Sequence, residues 1–102
     1  MSYDIGLLVP RLVDVLDWNY TSNCASMWRA AGVDFQTWGD KQAWEVIPEL
    51  EAAITRLKAD PAYYKTMNPE NGWGSYDSLI VALEKMLVVL HDNTLGHIKV
   101  CC

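Results

Sequence analysis

The chain is 102 residues long, 51% hydrophobic and 21% charged, with 13 acidic against 8 basic side chains and a formal net charge of −5. This balance excludes a disordered polyelectrolyte. With no run of Lys or Arg, it also disfavours nonspecific nucleic-acid binding and attachment to an anionic membrane surface.

The length fits one α+β domain over residues 1–102. No apolar run approaches the roughly 20 residues of a membrane-spanning helix. Three cysteines, Cys24, Cys101 and Cys102, are an odd number without framework spacing, which points to a reducing, cytoplasmic setting. The start, Met1-Ser2-Tyr3-Asp4, lacks the features of a secretory signal. Five Trp and five Tyr beside one Phe give the chain large rings with polar tips, suited to core edges, pockets and interfaces.

Alternation over residues 3–9 predicts a strand with Tyr3, Ile5, Leu7 and Val9 on one face. Pro10-Arg11 interrupts it and Leu12 to Leu16 resumes with β-branched residues, the pattern of a short hairpin. Asp17 to Asn23 reads as a polar loop whose Thr21 or Ser22 caps a helix. In that helix Cys24, Met27, Trp28 and Ala31 form one apolar stripe, ended by Gly32.

Beyond a loop with Val33, Phe35 and Trp38, Asp40 is the expected cap of a second helix. Its stripe is Val46, Leu50, Ala53, Ile54 and Leu57, with Pro48 inside its start and Trp44 off the stripe. Residues 62–74 read as a second loop, and Ser75 opens a third helix reaching about Asp92. Val81 and Val88 fall on that helix's nominal outer face and mark a surface for homo-oligomer formation. His97 to Val100 is a final strand that joins the hairpin. The expected fold class is therefore α+β: a small antiparallel sheet, from the N-terminal hairpin and the C-terminal strand, packed by three α-helices.

Candidate chemistry is sparse. Cys24, near a helix start, is the candidate nucleophile of a small cysteine-dependent enzyme, with His91 or His97 as base. Its place in an apolar stripe favours a structural thiol instead. His91, His97, Cys101 and Cys102 do not make a zinc set, because adjacent cysteines fit one tetrahedral ion poorly and no paired-ligand spacing accompanies them. Gly72-Trp73-Gly74 lacks the third glycine or lysine of a phosphate loop, so no cofactor is expected. The remaining constellation is Asn19, Thr21 and Asn23 on the first loop and Asn71, Trp73 and Tyr76 on the second, to which Trp28 is added as a candidate binding residue. Amide donors and acceptors beside ring faces suit polar planar ligands or peptide backbone.

Asn19-Tyr20-Thr21-Ser22-Asn23, Met27-Trp28-Arg29-Ala30, Ile47-Pro48-Glu49-Leu50 and Met67-Asn68-Pro69-Glu70-Asn71-Gly72-Trp73-Gly74-Ser75-Tyr76 occur in this order along most of the chain. With these motifs it resembles a group of small uncharacterised proteins of actinobacteria and their bacteriophages. It departs from them at the compressed turn Pro10-Arg11 and at the Cys101-Cys102 end. The resemblance implies a bacterial or phage cytoplasm and an accessory role, and assigns no catalytic residue. The expected function is a non-enzymatic accessory protein that engages a host protein or a small polar ligand through the two Asn/aromatic loops.

Overall fold

The computed structural model describes residues 2–8, 14–21, 24–72 and 74–101; the expectations for residues 9–13, 22, 23, 73 and 102 lie outside these. The fold is α+β. Strands β1 (Ser2–Leu8), β2 (Asp14–Thr21) and β3 (His97–Cys101) form an antiparallel sheet in the order β2-β1-β3. Helices α1 (Ala25–Ala30), α2 (Ala43–Ala59), α3 (Pro61–Lys65) and α4 (Tyr76–Asp92) accompany it, with a short 3-10 turn at Phe35–Thr37.

The N-terminal alternation becomes a strand because Tyr3 and Ile5 enter the core. Its partner is longer than the sequence implies. β2 runs on through Trp18, Asn19, Tyr20 and Thr21, so the polar stretch expected as a loop is strand, with Thr21 in register with Ser2. Local polarity yields here to the pairing with β1, which runs from Ser2 to Leu8. The N-cap of α1 is therefore not Thr21. Cys24 holds the cap position of α1, without a side-chain bond to the helix.

The outer edge of β3 is not open. The Asp40 N–H donates to the Ile98 carbonyl at 3.0 Å, and the Ile98 N–H to the Lys41 carbonyl at 2.8 Å. Asp40 adopts φ of 65°, turning the chain onto that edge, which corrects its expected role as a cap. The cap of α2 is Gln42, whose N–H donates to the Glu45 carboxylate at 2.8 Å in a capping box. α2 passes through Pro48. Pro48 lies on an exposed face, where water can reach the carbonyl left without its donor. Asp60 ends α2 and its carboxylate accepts the Tyr63 N–H, opening α3 inside the stretch expected to be loop.

One buried cluster joins the layers: Tyr3 and Ile5 from β1, Ile98 from β3, the apolar stripes of α1, α2 and α4, and the rings of Phe35 and Trp38. All five residues of the predicted α2 stripe lie in it. Val81 and Val88 are 52% and 60% exposed, on the side of α4 turned from the core.

Gly32 ends α1 with φ of 104°, and the Arg56 guanidinium donates to the neighbouring Ala31 carbonyl at 2.8 Å. A Cβ at Gly32 would stand 2.5 Å from that guanidinium nitrogen, so an alanine meets both backbone strain and a displaced cap. Gly32→Ala is expected to cost about 1–3 kcal/mol. Equilibrium urea unfolding checks this, and a variant as stable as the parent removes the assignment.

Candidate functional site

Of the residues singled out in the sequence, the structure describes the positions of Asn19, Thr21, Trp28, Asn71 and Tyr76. Asn19 and Thr21 are strand positions in β2, in register with Asp4 and Ser2. Asn71 is exposed in the turn between α3 and α4. Trp28 is 1% exposed and packs edge-on against Tyr3, Tyr20 and Phe35. Tyr76 is buried at the first turn of α4. Asn23 and Trp73 lie outside the described residues.

The structure does bring the end of β2 to the start of α4, through a residue outside that set. The Tyr20 hydroxyl bonds the Ser78 hydroxyl, donates to the Ser75 carbonyl at 3.3 Å and accepts the Ser75 N–H at 3.4 Å. Burial pushes the Tyr20 phenol above its usual range, opposed by its bonds to Ser78 and Ser75. Protein groups also fill the helix start. Asn68 accepts the Tyr76 N–H at 2.8 Å and Ser75 accepts the Ser78 N–H at 3.2 Å.

Cys24 is fully buried, its thiol donating to the Tyr20 hydroxyl at 3.9 Å. Burial raises the thiol's pKa, which disfavours the thiolate that nucleophilic chemistry needs. Neither histidine serves it: His91 is exposed beside Glu51 at 3.6 Å, and His97 is exposed on β3. Among the described residues no group of three or more His, Cys, Asp or Glu is placed to hold a metal ion.

Tyr76 has a structural task that the sequence did not disclose. Its hydroxyl donates to the Leu57 carbonyl at 2.6 Å. In a continuing helix that carbonyl would accept from the residue four positions on, which is Pro61 and has no N–H. Tyr76 thus supplies from α4 the donor that the end of α2 lacks.

The surface feature of the fold lies on α2 and α4. These helices run antiparallel and are tied by two rungs, Lys58 to Glu84 at 2.9 Å and His91 to Glu51 at 3.6 Å. Between the rungs is a shallow groove of about 320 Å³ whose apolar lining is Ile54, Leu87 and Val88. Trp44, Glu51, Thr55 and Lys58 share a sector of α2 about 60° wide at 3.6 residues per turn. Trp44 is 54% exposed, and Gln42 links it to Leu95, accepting from the Trp44 indole at 2.9 Å and donating to the Leu95 carbonyl at 3.2 Å. Leu95, Val81 and Val88 complete the large exposed apolar groups of this region; Tyr63 on α3 is the remaining one among the described residues. The available signal was the seven-residue spacing shared by Glu51 and Lys58, Glu84 and His91, and Val81 and Val88.

No family model matches the chain, and no curated protein or solved structure matches it. The roles assigned to its residues therefore rest on geometry, and Tyr76 offers a direct test. Tyr76→Phe is expected to cost about 1–3 kcal/mol by stranding a buried acceptor. Burial holds the Tyr76 phenol above its ordinary value of 10.0, with the Asp77 charge adding to the shift and Lys58 opposing it. The unfolded chain then ionises first, so this tyrosine's contribution is full below pH 10.0 and declines as pH rises toward the folded value. Urea unfolding as a function of pH should show a shallower alkaline decline in the variant. Equal declines would mean that Tyr76 is not the group responsible.

Proposed function

We propose that this is a non-enzymatic accessory protein that acts by binding another protein chain through the outward face of α2 and α4. What carries this reading is the placement of exposed apolar groups: Trp44, Val81, Val88 and Leu95 lie on or beside the two helices that frame the groove. Single exposed apolar residues are ordinary, whereas a set gathered along one grooved face marks an interaction surface. Exposed Trp is also a frequent anchor of protein interfaces. The buried thiol of Cys24 supports a binding role over cysteine catalysis.

In an extract of the cells that make it, the protein is expected to migrate in an assembly larger than one 11.5 kDa chain. Trp44→Ala with Val88→Lys should shift it to the mass of the single chain without changing its circular dichroism. Wild-type protein that migrates as the single chain throughout would overturn the reading.

A second reading keeps the Asn/aromatic segments as the site for a host protein or small polar ligand, in the accessory role of the phage and actinobacterial group that the motifs resemble. It is favoured by the Tyr20 bonds to Ser75 and Ser78, which place the end of β2 beside the start of α4. On this reading Asn71→Ala removes a ligand retained in native mass spectra of the purified protein and leaves stability within about 0.5 kcal/mol. Retention by the variant would count against it.

A further inference from the structure

Resting on the reading that the α2–α4 face binds a protein chain, we infer that its occupant is a second copy of this chain, packed face to face about a twofold axis through Val88. The deciding observation is how charge and apolar groups are arranged along the face.

The two rungs fix which residues of α2 and α4 stand level with each other. Glu51 is level with His91 at one end of the groove, and Lys58 is level with Glu84 at the other. Val88 lies between these levels, and Thr55 is beside it in the groove lining. On α4, Val81 and Val88 are two turns apart and differ by only about 20° around the axis. Val81 and Val88 therefore stand ~10.5 Å apart along the face, and Leu95, exposed in the turn beyond the helix, is the next large apolar residue past its end.

A twofold axis lying in the interface and perpendicular to α4 makes the partner helix antiparallel. It places residues on one flank of α4 beside residues on the same flank of the copy. With Val88 on the axis, Val88 meets its own copy. Val81 meets Leu95 of the second chain, and Leu95 meets Val81. On the flank away from α2, Lys85 meets Asp92 of the copy. On the flank toward α2, Glu84 meets His91, and on α2 itself Glu51 meets Lys58.

Each of these contacts except the one between the two Val88 side chains on the axis is made twice, and each joins apolar to apolar or acid to base. The palindrome requires the acidic and basic positions to exchange ends about Val88, and they do so on both helices. Centring the axis between Glu84 and Lys85 instead would set Glu84 beside its own copy and Lys85 beside its own. Charge therefore selects the axis through Val88 and disfavours that neighbouring register. Lys85 and Asp92 are both exposed, and neither has an ion-pair partner among the described residues. The second copy supplies one to each.

The test uses the purified full chain under reducing conditions, by sedimentation equilibrium up to about 1 mM, the weak end of specific association. Wild-type protein is expected to form dimers. Val88→Lys, which sets two like charges against each other on the axis, should weaken them about tenfold or more. Lys85→Glu and Asp92→Lys should each weaken self-association for the same reason, because each faces a like charge twice. An equimolar mixture of those two single variants should form a heterodimer, since both flank pairs are again opposite in sign. Carrying both changes on one chain should restore the homodimer.

A wild-type chain that is monomeric up to about 1 mM overturns the inference. If the larger assembly in cell extracts persists in that case, the protein-binding reading stands with a different partner. A dimer indifferent to Val88→Lys, or single variants that do not rescue each other, also overturns it, because either result puts the contact elsewhere or in another register.

Discussion

The indole of Trp28 is the contact through which the sheet and the helical layer become one core. It meets Tyr3 of β1 at 5.5 Å, Tyr20 of β2 at 6.4 Å and Phe35 at 5.2 Å between ring centroids, each edge to face. Phe35 passes the contact on to Trp38 at 4.8 Å, and the Trp38 indole donates to the Glu49 carboxylate of α2 at 2.7 Å. A six-residue helix such as α1 cannot hold itself together in water, so its place depends on this packing. Edge-to-face ring pairs add about 0.5–1.5 kcal/mol each beyond the area they bury. Removing a buried Trp costs about 3–5 kcal/mol, a large share of the stability of a domain this size.

Around that core, side chains from distant segments complete backbone groups that local structure leaves open. Arg56 of α2 takes the carbonyl at the end of α1, and Tyr76 of α4 takes the one that Pro61 abandons at the end of α2. Asn68 takes an N–H at the start of α4, and Glu49 accepts the Asp34 N–H as well as the Trp38 indole. Each bond is modest in net energy, but an unmet buried partner costs about 1–3 kcal/mol. The elements therefore constrain one another's ends, and this is why Asn and Tyr side chains near the helix starts read as a binding constellation in the sequence. Of that constellation, Tyr76 has a backbone partner in the Leu57 carbonyl.

Periodic features were legible. The alternation of Tyr3 and Ile5, the stripes of α1, α2 and α4, the stop at Gly32 and the exposure of Val81 and Val88 all follow from spacing. Long-range features were not. The stretch from Asp17 to Thr21 looks like loop because Asp17, Asn19 and Thr21 are polar, yet β1 offers it a ladder. Asp40 has the chemistry of a cap, but its left-handed backbone serves the edge of β3. Of the constellation, Trp28 and Tyr76 are absorbed by the core, which a ring-rich loop does not announce. The polar end of the α2–α4 face was within reach of pattern reading, because three pairs share one seven-residue spacing. Their alignment was not, since it depends on how two helices distant in sequence slide past each other.

On the proposed reading, exposure on this face has its reason in association rather than in the stability of one chain. Both rungs are solvent-exposed, with about half of each side chain accessible. An exposed ion pair such as Lys58–Glu84 contributes about 0–1 kcal/mol, too little to account for its placement, and the exposed parts of Val81, Val88 and Leu95 contribute nothing while they face water. Docking against a complementary surface changes both terms. It removes apolar area from water at about 25 cal/mol per Å², and it draws charges that are weakly coupled in solvent into a setting where sign and register matter more. The shallow groove lined by Ile54 and Leu87 gives such a surface room to seat. On that reading, an arrangement nearly neutral for the isolated fold but ordered in sign along both helices has its physical consequence in what it pairs with.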